Sequence, residues 1–183
     1  MSRLVLPVSE RDHLTGAANP LVTLVEYGDY ECPHCGLAWP IMKALELRFG
    51  RWVRFCFRNF PLTNQHPNAQ TAAEAAEAAG AQGRFWAMHD LLFEHQEALS
   101  YTHVVQYAAS LELDRPRFVE ELASHAYAPQ VRRDFMSGVR SGVNGTPTFF
   151  IDEVRHDAGY DYQSLAQALE IALARADVDG VPA

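Results

Sequence analysis

Apolar and polar positions follow three successive patterns in the N-terminal part of the chain. Residues 21–28, LVTLVEYG, form a compact apolar run, which is typical of a buried strand. Residues 33–49 carry apolar side chains at helical spacing, and Gly50 suits the end of a helix. Residues 52–60 alternate between apolar and polar side chains, as a strand does. This order predicts a βαβ unit with a parallel pair of strands.

The pattern changes in the middle of the chain and again near its end. Residues from about 63 to 140 are rich in helix formers, beginning with the Ala/Glu-rich stretch NAQTAAEAAEAAG, and predict four or five helices. Strand-like stretches return at 146–152 and 153–159 and predict a hairpin. Residues 161–176 predict a final amphipathic helix. The predicted order is therefore βαβ, a helical block, and ββα.

This order predicts an α/β fold that carries an inserted all-helical domain. We place the α/β domain at residues 1–62 and 138–183, and the helical insertion at residues 63–137. Without the insertion, the remainder is a unit of roughly 100 residues, which is a common size for one domain.

Composition and charge exclude several classes of partner. The 183 residues are 48% hydrophobic and 21% charged, which is ordinary for a soluble globular protein. The formal net charge of -8 argues against nucleic acid, because phosphate contacts need clustered Lys and Arg. Charges interrupt every apolar stretch before it reaches membrane-spanning length, so we expect no membrane partner. The N-terminal residues MSRLVLPVSERDH lack the apolar core of a signal peptide, so we expect a cytoplasmic protein.

Candidate chemistry is concentrated in ECPHCG, where Cys32 and Cys35 form a C-x-x-C pair. A structural zinc site usually takes four ligands, and only Cys56 remains besides this pair, so we predict no metal. A structural disulfide across so short a loop adds little stability, and a reducing cytoplasm disfavours it. Redox chemistry is the favoured interpretation, and a metal clip and a structural disulfide are the alternatives.

The position of the pair at a helix start suggests a mechanism. The first sulfur lies beside unpaired backbone N–H groups, where the helix dipole stabilises a thiolate. Such a site lowers the pKa of a cysteine from about 8.5 to between about 3.5 and 7.5. We therefore predict that Cys32 is an exposed nucleophile and Cys35 a buried resolving thiol. Pro33 fits the first helical turn, and His34, when protonated, adds a positive charge beside Cys32.

The motifs together resemble the thioredoxin superfamily, specifically DsbA-like thiol–disulfide oxidoreductases. The resemblance implies a thioredoxin-like fold and a protein-disulfide oxidoreductase that exchanges disulfides with protein or peptide thiols. It also implies an unidentified redox partner and no cofactor beyond the redox-active disulfide Cys32–Cys35. Similar domains occur fused to sodium/proton antiporters. The segments that carry the resemblance are HLTGAANPLVTLVEYGDYECPHCG, RFCFRNFPL, GRFWAMHDLLFEHQ, SGVNGTPTFFID and GYDYQSLAQAL.

The resemblance assigns roles to residues outside the cysteine pair. It implies that Glu26 is a buried acid, with a pKa raised by desolvation, that relays a proton to or from the resolving thiol. It implies a cis bond at Pro147, although only about 5–6% of X-Pro bonds in folded proteins are cis. The backbone of Thr146 would then pair with a bound peptide, as in strand addition. Pro40 corresponds to a helix-kinking proline.

The two aromatic residues that flank the cysteines, Trp39 and Tyr30, are the candidates for an apolar substrate rim. Cys56 matches no catalytic position, and we expect it to be a small buried apolar residue.

The direction of electron flow stays open at this point. Among the proteins that this chain resembles, Cys-Pro-His-Cys is typical of strongly oxidising members, whereas a cytoplasm would hold the pair as a dithiol. Two alternatives of other classes also remain. One is a zinc- or copper-binding domain that uses Cys32, Cys35 and His34, and the other is a redox-inactive chaperone or interaction module on a thioredoxin-like scaffold.

Overall fold

A computed structural model describes residues 2–179. Within these residues the strands form one five-stranded sheet, in the order β1-β3-β2-β4-β5. The strands are β1 (His13–Gly16), β2 (Val22–Gly28), β3 (Val53–Asn59), β4 (Thr148–Ile151) and β5 (Val154–His156). The helices are α1 (Pro33–Phe49), α2 (Ala69–Gly80), α3 (Phe85–Glu94), α4 (Tyr101–Ser110), α5 (Arg115–Ala123), α6 (Ala128–Arg140) and α7 (Tyr162–Asp179).

The elements divide between two compact units. Within the described residues, the first unit comprises residues 2–27, the segment Leu37–Arg58, and residues 137–179. The second comprises Gly28–Gly36 and Asn59–Met136, so it includes the cysteine pair as well as α2 to α5. The domain boundaries expected from the sequence, at residues 62 and 137, stay a prediction.

The first unit consists of most of the sheet with α1 and α7. Strand β2 pairs antiparallel with β4, so that Tyr27 lies opposite Thr148, and β4 pairs antiparallel with β5. The predicted α/β class is confirmed, and so is the order βαβ, helical block, ββα, which one further strand, β1, precedes. Apolar side chains from the sheet, α1 and α7 form the core of this unit: Val22, Leu24, Ala38, Leu45, Phe49, Val53, Phe55, Phe149, Leu165, Ala166 and Leu169.

Strand β1 was missed by the sequence patterns. Its residues, HLTG, contain a single aliphatic side chain and no apolar alternation. The strand exists because it pairs antiparallel with β3, where Leu14 lies opposite Cys56. Gly16 ends the strand with φ +84, and a Cβ at this position would lie 2.5 Å from the carbonyl oxygen of Val53. Tertiary pairing therefore defines this edge strand, and local sequence does not.

The hairpin between β4 and β5 turns at Asp152 and Glu153, which have φ values of 45° and 68°. Positive φ at both central residues is the geometry of a two-residue hairpin turn, which usually favours Asn-Gly. Here contacts with β2 stabilise the turn: the Asp152 backbone N–H donates to the Thr23 carbonyl (3.0 Å), and the Thr23 N–H donates to Asp152 Oδ1 (2.9 Å). The predicted hairpin is thus confirmed without its usual turn residues.

The second unit contains helices α2 to α5, of which α2 packs against the other three. Ala72, Ala75, Ala76 and Ala78 on α2 are fully buried, and their small side chains permit close approach of the neighbouring helices. Within residues 2–179, no helix combines the length and the apolar composition that crossing a bilayer requires.

Candidate active site

The cysteine pair lies at the first turn of α1, as its spacing predicts. The backbone N–H of Cys32 donates to the Asp29 carbonyl (3.1 Å), and the Gly36 N–H donates to the Cys32 carbonyl (3.1 Å). Cys32 therefore immediately precedes the first helical residue and accepts the first helical hydrogen bond. This is the positive end of the helix dipole, where a thiolate is stabilised.

Both cysteines are free thiols, and both are buried. Cys35 is 0% exposed and Cys32 only 4% exposed, so the expected exposure of Cys32 is wrong. Gln96, in the segment after α3, lies against the backbone of this turn, where its Nε2 donates to the carbonyls of Tyr30 (2.8 Å) and Cys32 (2.9 Å). Pro33 and His34, between the two cysteines, are exposed.

Gly36 leaves the space that Gln96 occupies. A Cβ at Gly36 would lie 2.0 Å from Oε1 and 2.7 Å from Cδ of Gln96, so any side chain there would displace the amide. The close approach of Gln96 to the active-site turn therefore depends on glycine at this position.

We expect Gly36→Ala to destabilise the protein, because it removes both hydrogen bonds of the Gln96 amide. Two such bonds contribute about 1–3 kcal/mol to the free energy of unfolding, and the better helix propensity of Ala offsets this by up to about 1 kcal/mol. Urea unfolding measures the net loss. In a Gln96→Ala background the same substitution should become neutral or stabilising, and equal losses in both backgrounds would contradict this account.

Tyr30 does not belong to an exposed substrate rim, which corrects the expectation from the sequence. The side chain is 1% exposed, its hydroxyl is hydrogen-bonded to Nδ1 of His89 (3.0 Å), and its ring lies 4.9 Å from that of Phe93. These contacts hold Tyr30 within the helical unit. Trp39 is half-buried, and its role as a substrate contact stays a prediction. Leu37, directly after Gly36, is 63% exposed, and the sequence patterns did not indicate it as a substrate contact.

Asp29 is the centre of a hydrogen-bond network that sequence reasoning missed. Its Oδ1 accepts from the Glu31 N–H (2.8 Å), and its Oδ2 accepts from the Leu62 N–H (2.8 Å) and lies 2.7 Å from Nδ1 of His66. Its backbone N–H donates to Sγ of Cys35 (3.4 Å). One buried residue therefore contacts the resolving sulfur through its backbone and an imidazole through its carboxylate.

The network changes the protonation of His66. Burial lowers the pKa of His66, but the hydrogen bond and charge of Asp29, with smaller effects of the Cys32 and Glu31 charges, outweigh burial and raise the pKa above 6.5. A second link joins the same segments, since the carboxylate of Glu31 accepts from the backbone and side-chain N–H groups of Asn68 (2.6 and 2.8 Å).

The remaining predicted residues lie in the first unit. Glu26 is 5% exposed, which agrees with the predicted burial, and it lies opposite Phe149 in the β2–β4 pair. The Thr146–Pro147 peptide bond is cis and directly precedes β4. The proton relay of Glu26 and the peptide contact of Thr146 stay predictions.

Two other predicted features can be placed in the structure. Pro40 lies inside α1, and Cys56 is buried on β3 with 2% exposure. Within residues 2–179, no group of three or more His, Cys, Asp or Glu side chains is arranged to hold a metal ion.

A sequence model of one protein family, described as thioredoxin, matches residues 8–171 of the chain. The chain belongs to the thioredoxin family. The match includes all five strands and both cysteines of the pair, so the family assignment rests on the fold and the candidate site together.

Solved structures of thioredoxin-like proteins show the same fold. BdbD from Bacillus subtilis, in its oxidised form, is 24% identical with a TM-score of 0.82, over 94% of this chain and 98% of that chain. A thioredoxin-like oxidoreductase from Silicibacter pomeroyi DSS-3 is 26% identical with a TM-score of 0.77, over 90% of this chain and 93% of that chain. Alpha-DsbA1 from Wolbachia pipientis is 21% identical with a TM-score of 0.77, over 96% of this chain and 97% of that chain. The predicted resemblance to DsbA-like members of the family is thereby confirmed for the fold.

A curated relative is similar at the level of sequence. The protein named Na(+)/H(+) antiporter NhaA 1 of Salinispora arenicola (strain CNS-205) is 46% identical over 172 residues, which are 93% of this chain and 26% of the antiporter. The thioredoxin-family chain therefore spans about a quarter of the length of the curated relatives it matches.

Proposed function

We propose that this chain is a thiol–disulfide oxidoreductase that exchanges disulfides with protein or peptide substrates through Cys32 and Cys35. One observation carries the proposal: two free thiols lie at the first turn of α1, with Cys32 at the helix start and Cys35 accepting a hydrogen bond from the Asp29 backbone. Thioredoxin-family membership and the similarity to a thioredoxin-like oxidoreductase support it.

In the reducing direction the reaction has two steps. The Cys32 thiolate attacks one sulfur of a substrate disulfide, which forms a mixed disulfide and releases the first substrate thiolate. The Cys35 thiolate then attacks Cys32, which forms the Cys32–Cys35 disulfide and releases the second substrate thiolate. Two electrons pass to the substrate, and each released thiolate takes a proton from solvent or an acid. In the oxidising direction both steps run in reverse.

The proposal also covers the substrates, the residues that contact them, the proton relay and the location of the protein. The substrates are proteins or peptides with accessible thiols or disulfides, and the Thr146 backbone and Trp39 are the proposed contacts. Glu26 is the proposed proton relay, and the location is proposed to be cytoplasmic. The antiporter name belongs to proteins of which the matched segment is about a quarter, and ion transport is not part of the proposal.

Equilibration with glutathione buffers tests the function directly. We expect the Cys32–Cys35 pair to form a single two-electron couple, quantified by mass spectrometry after acid quench, and the dithiol form to reduce insulin. Stoichiometric zinc or copper retained by the purified reduced protein would favour the metal-binding alternative. If the unsubstituted protein does not reduce insulin and client binding survives Cys32→Ser, the redox-inactive alternative is favoured.

A further inference from the structure

We propose that Asp29 and His66 form a charge pair that stabilises the thiolate of Cys32, which makes His66 a positioning residue for thiol exchange. The proposal rests on the proposed function for its biological meaning, but the property it concerns, the acidity of one thiol, is measured without a substrate. No sequence pattern pointed to either residue, because they are 37 positions apart.

Geometry joins the pair to both cysteines through Asp29. Its carbonyl accepts the N–H of Cys32 (3.1 Å), its own N–H donates to Cys35 Sγ (3.4 Å), and its Oδ2 lies 2.7 Å from Nδ1 of His66. These three contacts leave Asp29 little freedom to move relative to the cysteines. A change at the imidazole is therefore transmitted to the cysteine turn through a single buried residue.

The segment that carries His66 is fixed to the same turn. The Leu62 N–H donates to Asp29 Oδ2 (2.8 Å), and the His66 N–H donates to the Leu62 carbonyl (2.9 Å). Asn68 donates twice to the carboxylate of Glu31, next to Cys32. The hydrogen bonds of Leu62 and Asn68, on either side of His66, therefore fix the position of the segment that carries the imidazole.

The charges explain why the imidazole matters. The Asp29 side chain is 0% exposed, so its negative charge, three residues before Cys32, opposes a thiolate with little screening by water. A protonated His66 cancels that charge, and its side chain is only 16% exposed. His34 is exposed, and its charge is screened more strongly. The buried pair should therefore influence the thiolate more than the histidine between the cysteines does.

The coupling is reciprocal. The charged groups that act on His66 are Asp29, Cys32 and Glu31, and together they raise its pKa although burial lowers it. A thiolate that favours protonation of His66 must itself be favoured by protonated His66 to the same extent. This stabilisation of the thiolate is present below the raised pKa of His66 and is lost as the pH rises through it.

The test compares the pH dependence of Cys32 alkylation by iodoacetamide in proteins with the background Cys35→Ala and Cys56→Ala. We expect His66→Gln to shift the alkylation midpoint to higher pH and to slow alkylation about 3- to 10-fold at pH 5–6, since tenfold corresponds to one pKa unit. The two profiles should converge at alkaline pH, where His66 is neutral. Absorbance at 240 nm gives an independent measure of the thiolate.

His125→Gln is the matched control. His125 also pairs with a carboxylate of the same unit, Glu74, at 3.2 Å, but it is 72% exposed and has no contact with the Asp29 network among its hydrogen bonds. The alkylation profile of His125→Gln should coincide with that of the parent, which is the protein with Cys35→Ala and Cys56→Ala and no further substitution. Coincident profiles for His66→Gln and the parent would overturn the proposal, and so would an equal shift in both variants.

A second measurement requires no substitution at His66. Alkylation of Cys32 with iodoacetamide removes the thiolate, so the pKa of His66, followed by NMR, should fall on alkylation; an unchanged value would overturn the proposal even if His66→Gln failed to fold. Failure of the proposed function has a different signature, which is measured on the unsubstituted chain because it retains Cys35. If the coupling is present in the alkylation background but the unsubstituted chain does not reduce insulin, the charge pair stands and the oxidoreductase assignment is lost.

Discussion

Replacing Cys32 with serine is expected to lower dithiol-dependent insulin reduction by about a thousandfold or more, because loss of a catalytic nucleophile removes the covalent route entirely. The hydroxyl of serine keeps the small size of the side chain, so the fold should be preserved. Turbidity of reduced insulin, followed in the presence of dithiothreitol, gives the rate, and the rate without protein is the baseline.

Replacing Cys35 with serine is expected to give a different result. With Cys35→Ser the first attack by Cys32 still occurs, but no thiol remains at position 35 to release the substrate. The variant should therefore accumulate a mixed disulfide with insulin or with glutathione, which intact-protein mass spectrometry detects as a mass addition at Cys32. The trapped mixed disulfide distinguishes the nucleophile, Cys32, from the resolving thiol, Cys35, whereas loss of activity alone does not.

Cys56→Ala is the control for both variants, because Cys56 is buried on β3 and belongs to the other compact unit. Its activity should equal that of the parent. Substantial insulin reduction by Cys32→Ser, or a mixed disulfide that forms at Cys56, would contradict the assigned roles.

Much of the fold could be predicted because its elements have strong local patterns. The apolar run of β2, the helical spacing of α1 and the alanine-rich α2 each contain enough information in a short window. Strand β1 could not be predicted, since four residues with one aliphatic side chain become a strand only by pairing with β3. Tertiary pairing can thus define an element that local propensity leaves undecided.

The candidate site likewise contains residues that local sequence predicts and residues that it does not. Cys32 and Cys35 could be predicted because their spacing and the helix start are local features. Gln96 and His66 could not, since they meet the cysteine turn only after folding, 64 positions from Cys32 and 37 positions from Asp29 respectively. Histidine in the segment NQHPNA carried no local signal of its own.

The errors about exposure have the same origin. Tyr30 and Cys32 were expected at the surface because both flank or form an active-site motif. Burial depends on which distant segments pack against a residue: Tyr30 contacts His89 and Phe93, and Gln96 donates to the Cys32 carbonyl. A local motif can therefore identify a reactive residue without indicating how far it is from solvent.

The largest effect on stability is expected for Arg58→Met. The guanidinium of Arg58 is fully buried and donates to the carboxylate of Asp12 (2.9 and 3.2 Å), the carbonyls of Leu6 (2.8 Å) and Pro7 (3.1 Å), and the hydroxyl of Tyr27 (3.0 Å). Methionine keeps the apolar stem but removes all five contacts. Asp12, whose side chain is 2% exposed, would then keep a buried charge without its cation.

Breaking a buried ion pair by removing one partner costs about 3–5 kcal/mol, so the thermal midpoint should fall by roughly 6–20 °C. Burial by itself lowers the pKa of Arg58, but the hydrogen bond with Asp12 and the charges of Tyr27 and Cys56 outweigh it and raise the pKa. The guanidinium of Arg58 therefore stays charged across the ordinary pH range of a thermal melt.

A second substitution separates the lost charge pair from lost packing. Adding Asp12→Asn to Arg58→Met removes the uncompensated charge and keeps an oxygen that can accept from the Ser9 backbone N–H, as Asp12 does now (2.8 Å). Because removal of both partners of a buried pair is often nearly neutral, the double variant should recover most of the midpoint. Arg117→Met, which breaks the exposed pair with Glu121 on α5, should melt close to the parent. A double variant that melts as low as Arg58→Met would contradict the charge account and would show that the hydrogen bonds to Leu6, Pro7 and Tyr27, together with packing, stabilise this part of the sheet.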